Sequence, residues 1–145
     1  MNDPYESLKL KNQLCFPLYA AAREVIRSYR GYLEELDLTY TQYIAMMVFW
    51  EKHLCSVKET GEMLRLDSGT LTPVLKSLEA KGLVKRQRSE EDERVVLVEI
   101  TPAGEELKEK AANFPRVRAE CARLTQEEAE QLYHLLYKVL GEDEE

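Results

Sequence analysis

The chain has 145 residues, 44% hydrophobic and 32% charged, a composition that fits one globular domain with a modest core and excludes a disordered chain. A formal net charge of −7 argues against a nucleic-acid partner if that charge is evenly spread. Three cysteines (Cys15, Cys55, Cys121), an odd number without CxxC spacing, argue against a disulfide scaffold and a thiolate zinc site, and no apolar run reaches the ~18 residues of a membrane span.

Met1 to Lys11 is polar and lacks the apolar stretch of a signal peptide, so a cytoplasmic protein is expected. His53 and His134 belong to no motif, and nothing asks for a metal or cofactor. Leu18, Ala22, Val25, Ile26, Tyr29 and Leu33 recur at helical spacing and predict a first helix over about 17–36. Pro17 fits its first turn, which places Cys15 at or just before a helix N-terminus. Thr39 and Gln42 form a capping box for a second helix carrying Ile44, Met47, Val48 and Phe49 and stopping near His53. Ser56 and Glu59 form another, opening a short helix through Met63 and Leu64. Leu66 to Gly69 read as a turn. The next helix turns Leu71, Val74, Leu75 and Leu78 inward, has Pro73 near its start, and ends at Gly82. Residues 84–88 and 94–100 read as two strands joined by the charged loop Ser89 to Glu93. Thr101 and Pro102 start a long helix with the stripe Leu107, Ala111, Phe114, Val117, Cys121 and Leu124, bent at Pro115. Thr125 to Glu128 cap a last helix with Leu132, Leu135, Leu136, Val139 and Leu140, followed by an acidic tail.

Two short helices across a tight turn, then a hairpin, predict a winged helix–turn–helix. The expected fold is mainly α with a small β-hairpin wing: one domain over 1–145, its winged helix–turn–helix at about 38–100. The second short helix begins with Ser68, Gly69, Thr70 and Thr72, small enough to approach base edges in a major groove, and its N-terminal amides suit a phosphate. Lys76 lies farther along, within reach of the DNA backbone. Charge is uneven: from Arg65 to Arg88 the basic residues Arg65, Lys76, Lys81, Lys85, Arg86 and Arg88 meet only Asp67 and Glu79. The hairpin tip fits the adjacent minor groove, whose negative potential favours Arg94, with Asp92 placed to hold it. The plainer reading is a helix pair and hairpin that merely complete a small domain. The break at Gly82-Leu83-Val84 into a basic strand favours DNA.

Leu66-Asp67-Ser68-Gly69-Thr70-Leu71-Thr72-Pro73, Leu78-Glu79, Gly82-Leu83-Val84, Arg88, Asp92-Glu93-Arg94 and Ile100-Thr101-Pro102-Ala103-Gly104 resemble the MarR family of bacterial repressors over nearly the whole chain. Leu10-Lys11-Asn12-Gln13-Leu14-Cys15-Phe16, Leu18-Tyr19-Ala20, Tyr29 and Leu38-Thr39-Tyr40-Thr41-Gln42-Tyr43 look like its OhrR branch, whose members repress genes for organic hydroperoxide resistance. The resemblance implies a homodimer built from terminal helices, about 10–36 and 101–141, on a pseudo-palindromic double-stranded operator with one wing domain per half-site. It implies that organic hydroperoxides oxidise Cys15 and thereby release the operator. Tyr29 and Tyr40 would hydrogen-bond Cys15 across the dimer, and Tyr19 also matches. The expected DNA-binding set is Ser68, Gly69, Thr70, Thr72, Lys76, Arg86, Arg88, Asp92 and Arg94. Some OhrR-like proteins resolve the oxidised cysteine with a second one in the C-terminal dimer region, and Cys121 stands in about that place.

The chemistry is coherent. Peroxide attack needs a thiolate, which a helix N-terminus and donating tyrosine hydroxyls favour, and the sulfenic acid product changes what those tyrosines can bond. Other readings stay open. Cys15, Tyr19, Tyr29 and Cys121 also suit plain packing, and Cys55 matches no role. The alternative function is a MarR-type repressor released by a small phenolic or drug-like ligand, with Cys15 structural. A thiol peroxidase is disfavoured: no catalytic base lies near Cys15 in the sequence and there is no substrate-binding glycine loop, so no enzyme is expected.

Overall fold

The computed structural model describes residues 2–113 and 123–142. They fall into two compact units, one drawn from residues 2–30 and 123–142, the other from 31–113. Cys121, Phe114, Pro115 and Val117 lie outside the described residues.

In the first unit two 3-10 turns, Glu6–Leu8 and Leu10–Asn12, precede α1, Cys15–Ser28. The Asn12 amide ties the turns together by donating to the Glu6 carbonyl (2.8 Å) and carboxylate (3.0 Å). The last helix of the chain, Gln126–Val139, also belongs to this unit and opens with the expected Thr125–Glu128 capping box. Neither helix has a single buried residue.

One continuous helix to Leu36 was expected, but the chain breaks at Tyr29 and restarts as α2, Arg30–Leu36. The Ser28 hydroxyl bonds back to the Val25 carbonyl at 2.5 Å, and Gly31 follows. A back-bonding serine near a glycine weakens the helical ladder, and Tyr29 donates to the Ile26 carbonyl instead (3.1 Å).

In the second unit α3 spans Tyr40–Lys52, and the Thr39–Gln42 capping box forms in both directions. A three-residue strand β1, Leu54–Ser56, then leads into α4, Val57–Leu64, capped by Ser56 and Glu59 as expected. Helix α5, Ser68–Ala80, begins at Ser68 because the Asp67 carboxylate caps Thr70 N–H at 2.7 Å. Strands β2, Val84–Arg88, and β3, Val96–Ile100, form the hairpin, and α6 spans Pro102–Ala112. The sheet has three strands in the order β1-β3-β2, so β3 is central and pairs Cys55 with Val98 on one side and Arg86 with Val98 on the other. β1 was not foreseen: three residues carry no usable alternation, and its partner is distant in sequence. β3 begins two residues later than expected because Val95 N–H closes a turn on the Asp92 carbonyl (2.9 Å).

The core is Met46 and Phe49 of α3, Leu71, Leu75 and Leu78 of α5, Val84 of β2 and Val98 of β3. Of the apolar residues named for this helix, Met47 is 43% exposed, while Ala45, Met46 and Trp50 are buried beside Val48 and Phe49. α3 is apolar nearly all round, so its sequence does not define one buried stripe. At the end of α5, Gly82 takes φ +75°, Gly82 N–H bonds the Glu79 carbonyl (2.9 Å) and Leu83 N–H bonds the Leu78 carbonyl (3.0 Å). This is the left-handed glycine cap that the sequence predicts. α6 sits directly behind the turn into β2. The Thr101 hydroxyl caps Gly104 N–H (3.2 Å), and Trp50 Nε1–H donates to the Gly104 carbonyl (2.9 Å).

Candidate sensor and nucleic-acid interface

α5 presents Ser68, Gly69, Thr70 and Lys76 to solvent. Thr72 is half-buried, and its hydroxyl donates to the Ser68 carbonyl at 2.6 Å. The Thr70 amide holds the Asp67 carboxyl below its usual range, so a negative charge sits at the helix start. That differs from the expectation of amides open to a phosphate. What α5 offers a groove is its small side chains and Lys76, not a bare N-terminus.

The wing is braced as the sequence predicts. Asp92 Oδ1 accepts from Arg94 N–H (3.0 Å) and Nε (3.1 Å), and Oδ2 accepts from Nη2 (3.3 Å). These bonds lower the Asp92 pKa and hold Arg94 while its side chain stays 90% exposed. Arg88 turns into its own loop, donating to the Glu93 carbonyl at 2.7 Å. Arg86 is bound by the Glu79 carboxylate, and its side chain is 26% exposed. Of the expected basic contacts, then, Lys76 and Arg94 are presented outward, while Arg86 and Arg88 brace the hairpin.

An open cleft of about 790 Å³ lies between the helix pair and the wing, with Lys58, Arg65, Ser68, Thr72, Arg86 and Arg94 among its lining residues. Lys58 and Arg65 were not in the expected set, which was drawn only from α5 and the hairpin. Their signal was available: a lysine in the first turn of the preceding helix, and a basic residue in the turn itself, taking φ +54°.

Cys15 is the first residue of α1 and is exposed. Tyr19, one turn along the same face, carries the Arg23 guanidinium 5.5 Å from its ring centroid, and Arg23 Nη1 lies 3.4 Å from its hydroxyl. Tyr29 directly follows the helix, about 21 Å from Cys15 at a rise of ~1.5 Å per residue. No tyrosine side chain spans that distance, so a Tyr29 hydroxyl can meet Cys15 only from another copy of the chain. Tyr40 opens α3, half-buried, its ring 6.4 Å from that of Tyr43. Cys55 differs from Cys15 in every relevant respect. It is buried in β1, it donates to Glu59 (Sγ to Oε2 3.4 Å), and burial pushes its thiol pKa up. Iodoacetamide at pH 8 is therefore expected to label native Cys15 roughly tenfold faster than Cys55 or more, read by mass spectrometry of the peptides. Equal rates would show that Cys55 is open to solvent.

No helix among the described residues is long and apolar enough to cross a membrane. The family model for SarA/Rot transcriptional regulators matches residues 27–111. The chain is 46% identical over 140 residues to the organic hydroperoxide resistance transcriptional regulator of Bacillus subtilis, covering 97% of this chain and 95% of that protein. It is similar to reduced AbfR bound to DNA (TM-score 0.76, 32% identity, 96% of this chain and 97% of that one), AbfR being a Staphylococcus epidermidis protein. AbfR has also been solved overoxidized on DNA and in a disulfide-formed state. A mutant of MarR from E. coli complexed with operator DNA matches with TM-score 0.83 and 27% identity over 96% of this chain and 99% of that one.

Proposed function

The chain belongs to the MarR family of transcription regulators, close to the repressors that sense organic hydroperoxides, and from that premise we propose that it is a repressor released from DNA when Cys15 is oxidised. It is a regulator and not an enzyme. The observation that carries the sensor assignment is the exposed Cys15 at the first position of a helix with no buried residue.

That helix needs a cover. Leu14, Phe16, Leu18, Val25 and Ile26 in and beside α1, and Leu132, Leu135, Val139 and Leu140 of the last helix and its cap, are each 40% or more exposed. Apolar surface of this extent on a small protein marks an interface, and a second copy of the chain is the occupant we assign. Such a homodimer carries two wings and suits a pseudo-palindromic double-stranded operator. Ser68, Gly69, Thr70, Thr72 and Lys76 approach the major groove, Arg94 enters the minor groove held by Asp92, and Arg86 and Arg88 stiffen the wing. The protein acts in the cytoplasm, where its operator is.

The reaction balances as follows. The Cys15 thiolate attacks one peroxide oxygen, the S–O bond forms as the O–O bond breaks, and the alkoxide leaves as an alcohol after taking a proton. The sulfenic acid changes the hydrogen bonds that the Tyr29 and Tyr40 hydroxyls of a second copy would make to Cys15, and shifts the dimer away from its DNA-binding arrangement. Cys121 is the candidate to condense with it as an intersubunit disulfide.

Reduced wild type is expected to bind the DNA upstream of its own gene and to leave it on addition of cumene hydroperoxide, whereas Cys15→Ser binds and stays. A disulfide-linked dimer on a non-reducing gel that Cys121→Ser abolishes assigns the second cysteine. If peroxide releases neither protein while a phenolic ligand releases both, the repressor answers to a ligand and Cys15 is structural.

A further inference from the structure

Resting on the DNA-binding reading above, we propose that Glu79 is a positioning residue that locks the wing to the recognition helix so that Arg94 reaches its groove. β2 lies at the edge of the sheet, so Arg86 N–H points away from β3 and has no strand to bond. Glu79, near the end of α5, takes it. Its Oε2 accepts from Arg86 N–H at 2.8 Å, while Oε1 accepts from Nη2 at 3.1 Å and Nε at 3.3 Å. One carboxylate thus joins helix and strand through three donors.

The covalent link between the two is Lys81-Gly82-Leu83, with Gly82 at φ +75°. That turn is held at its own carbonyls by Thr101, and the clamp adds a second point of attachment farther along β2, at Arg86, which fixes the direction of the strand beyond the turn. The tip magnifies any slack. A strand of five residues is about 17 Å long, so a 10° error at its root moves the loop by about 3 Å, the length of a hydrogen bond. A helix in one groove and an arginine in the next tolerate no such error.

A role in stability alone predicts something different. It would lower the melting temperature and leave the contribution of Arg94 untouched. Electrostatics alone has the opposite sign, because deleting a carboxylate near phosphate strengthens binding. A double-mutant cycle on the reduced, full-length protein and its operator separates these cases. Arg94→Ala is expected to cost roughly a hundredfold in operator affinity in the wild-type background, from a charge-assisted contact at each of two wings. Glu79→Ala should itself cost roughly tenfold, and in its presence Arg94→Ala should cost only about tenfold more, so that the double variant binds no worse than Arg94→Ala alone. Glu79→Gln keeps an acceptor for the Arg86 amide but not for the guanidinium, and should restore part of the Arg94 effect. Additive losses, or a Glu79→Ala protein that binds more tightly, overturn the proposal. If Glu79→Ala does not fold, Glu79→Gln and Arg86→Met carry the same cycle. An Arg94→Ala that costs nothing in wild type removes the groove contact of the wing that the proposed DNA-binding mode assigns, whereas additivity with a real Arg94 cost removes only the role of Glu79.

Discussion

Gly104→Ala is expected to lower the free energy of unfolding by about 3 kcal/mol, a large share of what a small domain has. A Cβ at this position would lie 2.4 Å from the Leu83 carbonyl oxygen and 2.7 Å from Cγ1 of Ile100. The carbonyl cannot retreat cheaply. It accepts from Thr101 N–H at 3.1 Å, and the neighbouring Gly82 carbonyl accepts from the Thr101 hydroxyl at 2.6 Å. Pushing α6 outward instead would break the bond from Trp50 Nε1 to the Gly104 carbonyl. Overpacking against backbone costs up to about 3 kcal/mol and a lost buried hydrogen bond about 1 more, while the better helix propensity of alanine returns somewhat less than 1. Urea titration followed by the fluorescence of Trp50, the single tryptophan, measures the loss at fixed protein concentration. Gly31→Ala is the control: nothing lies within 4 Å of its Cβ position, and its midpoint should hold or rise slightly. An unchanged midpoint for Gly104→Ala would mean that α6 is not seated on the Leu83 turn.

The second large effect concerns DNA. On the proposed reading Arg94→Ala weakens operator binding by at least roughly a hundredfold, because a charge-assisted hydrogen bond is worth about 1.5–3 kcal/mol and a dimer loses two. The same substitution should flatten the dependence of affinity on salt by about two phosphate equivalents. Asp92→Ala should also weaken binding, by roughly tenfold, although it removes a negative charge from beside the phosphates. That sign is the informative one: only a carboxylate that positions the arginine produces it. The pKa of Asp92 is depressed by its bonds to Arg94, so the brace is present above the unfolded carboxyl value, ~3.9, and fails as pH falls through the lower folded value. Operator binding should therefore show no loss of this brace across the neutral range. Affinities of wild type, Arg94→Ala and Asp92→Ala at several salt concentrations decide the matter, and a tighter Asp92→Ala would refute the positioning role.

Local chemistry was the legible part of this chain. The boxes at Thr39, Ser56 and Thr125 formed as read, because each needs only two residues three apart. Gly82 and the Asp92–Arg94 pair are likewise short-range, and they place the turn into the hairpin and the arginine at its tip. The elements that were missed depend on residues distant in sequence. β1 exists because β3 offers it an edge, and the inward face of α3 is chosen by α5 and the sheet rather than by its own pattern. The Glu79–Arg86 clamp is not legible in the sequence for a different reason: counted by charge, Arg86 belongs to a basic strip, and only the fold brings it to a partner. Cys121 and the lower part of the stripe that carries it lie outside the described residues.

The helices at the two ends of the chain bury none of their own residues, and this makes cellular abundance a variable of the regulation. A fold completed only by a second copy obeys mass action: its melting temperature climbs with concentration, and below the dissociation constant the population of dimers falls as the square of the chain concentration. Dilution by growth would then empty the operator much as an oxidant does, with no chemistry at any cysteine. A promoter under such control has a threshold set by how much repressor the cell keeps.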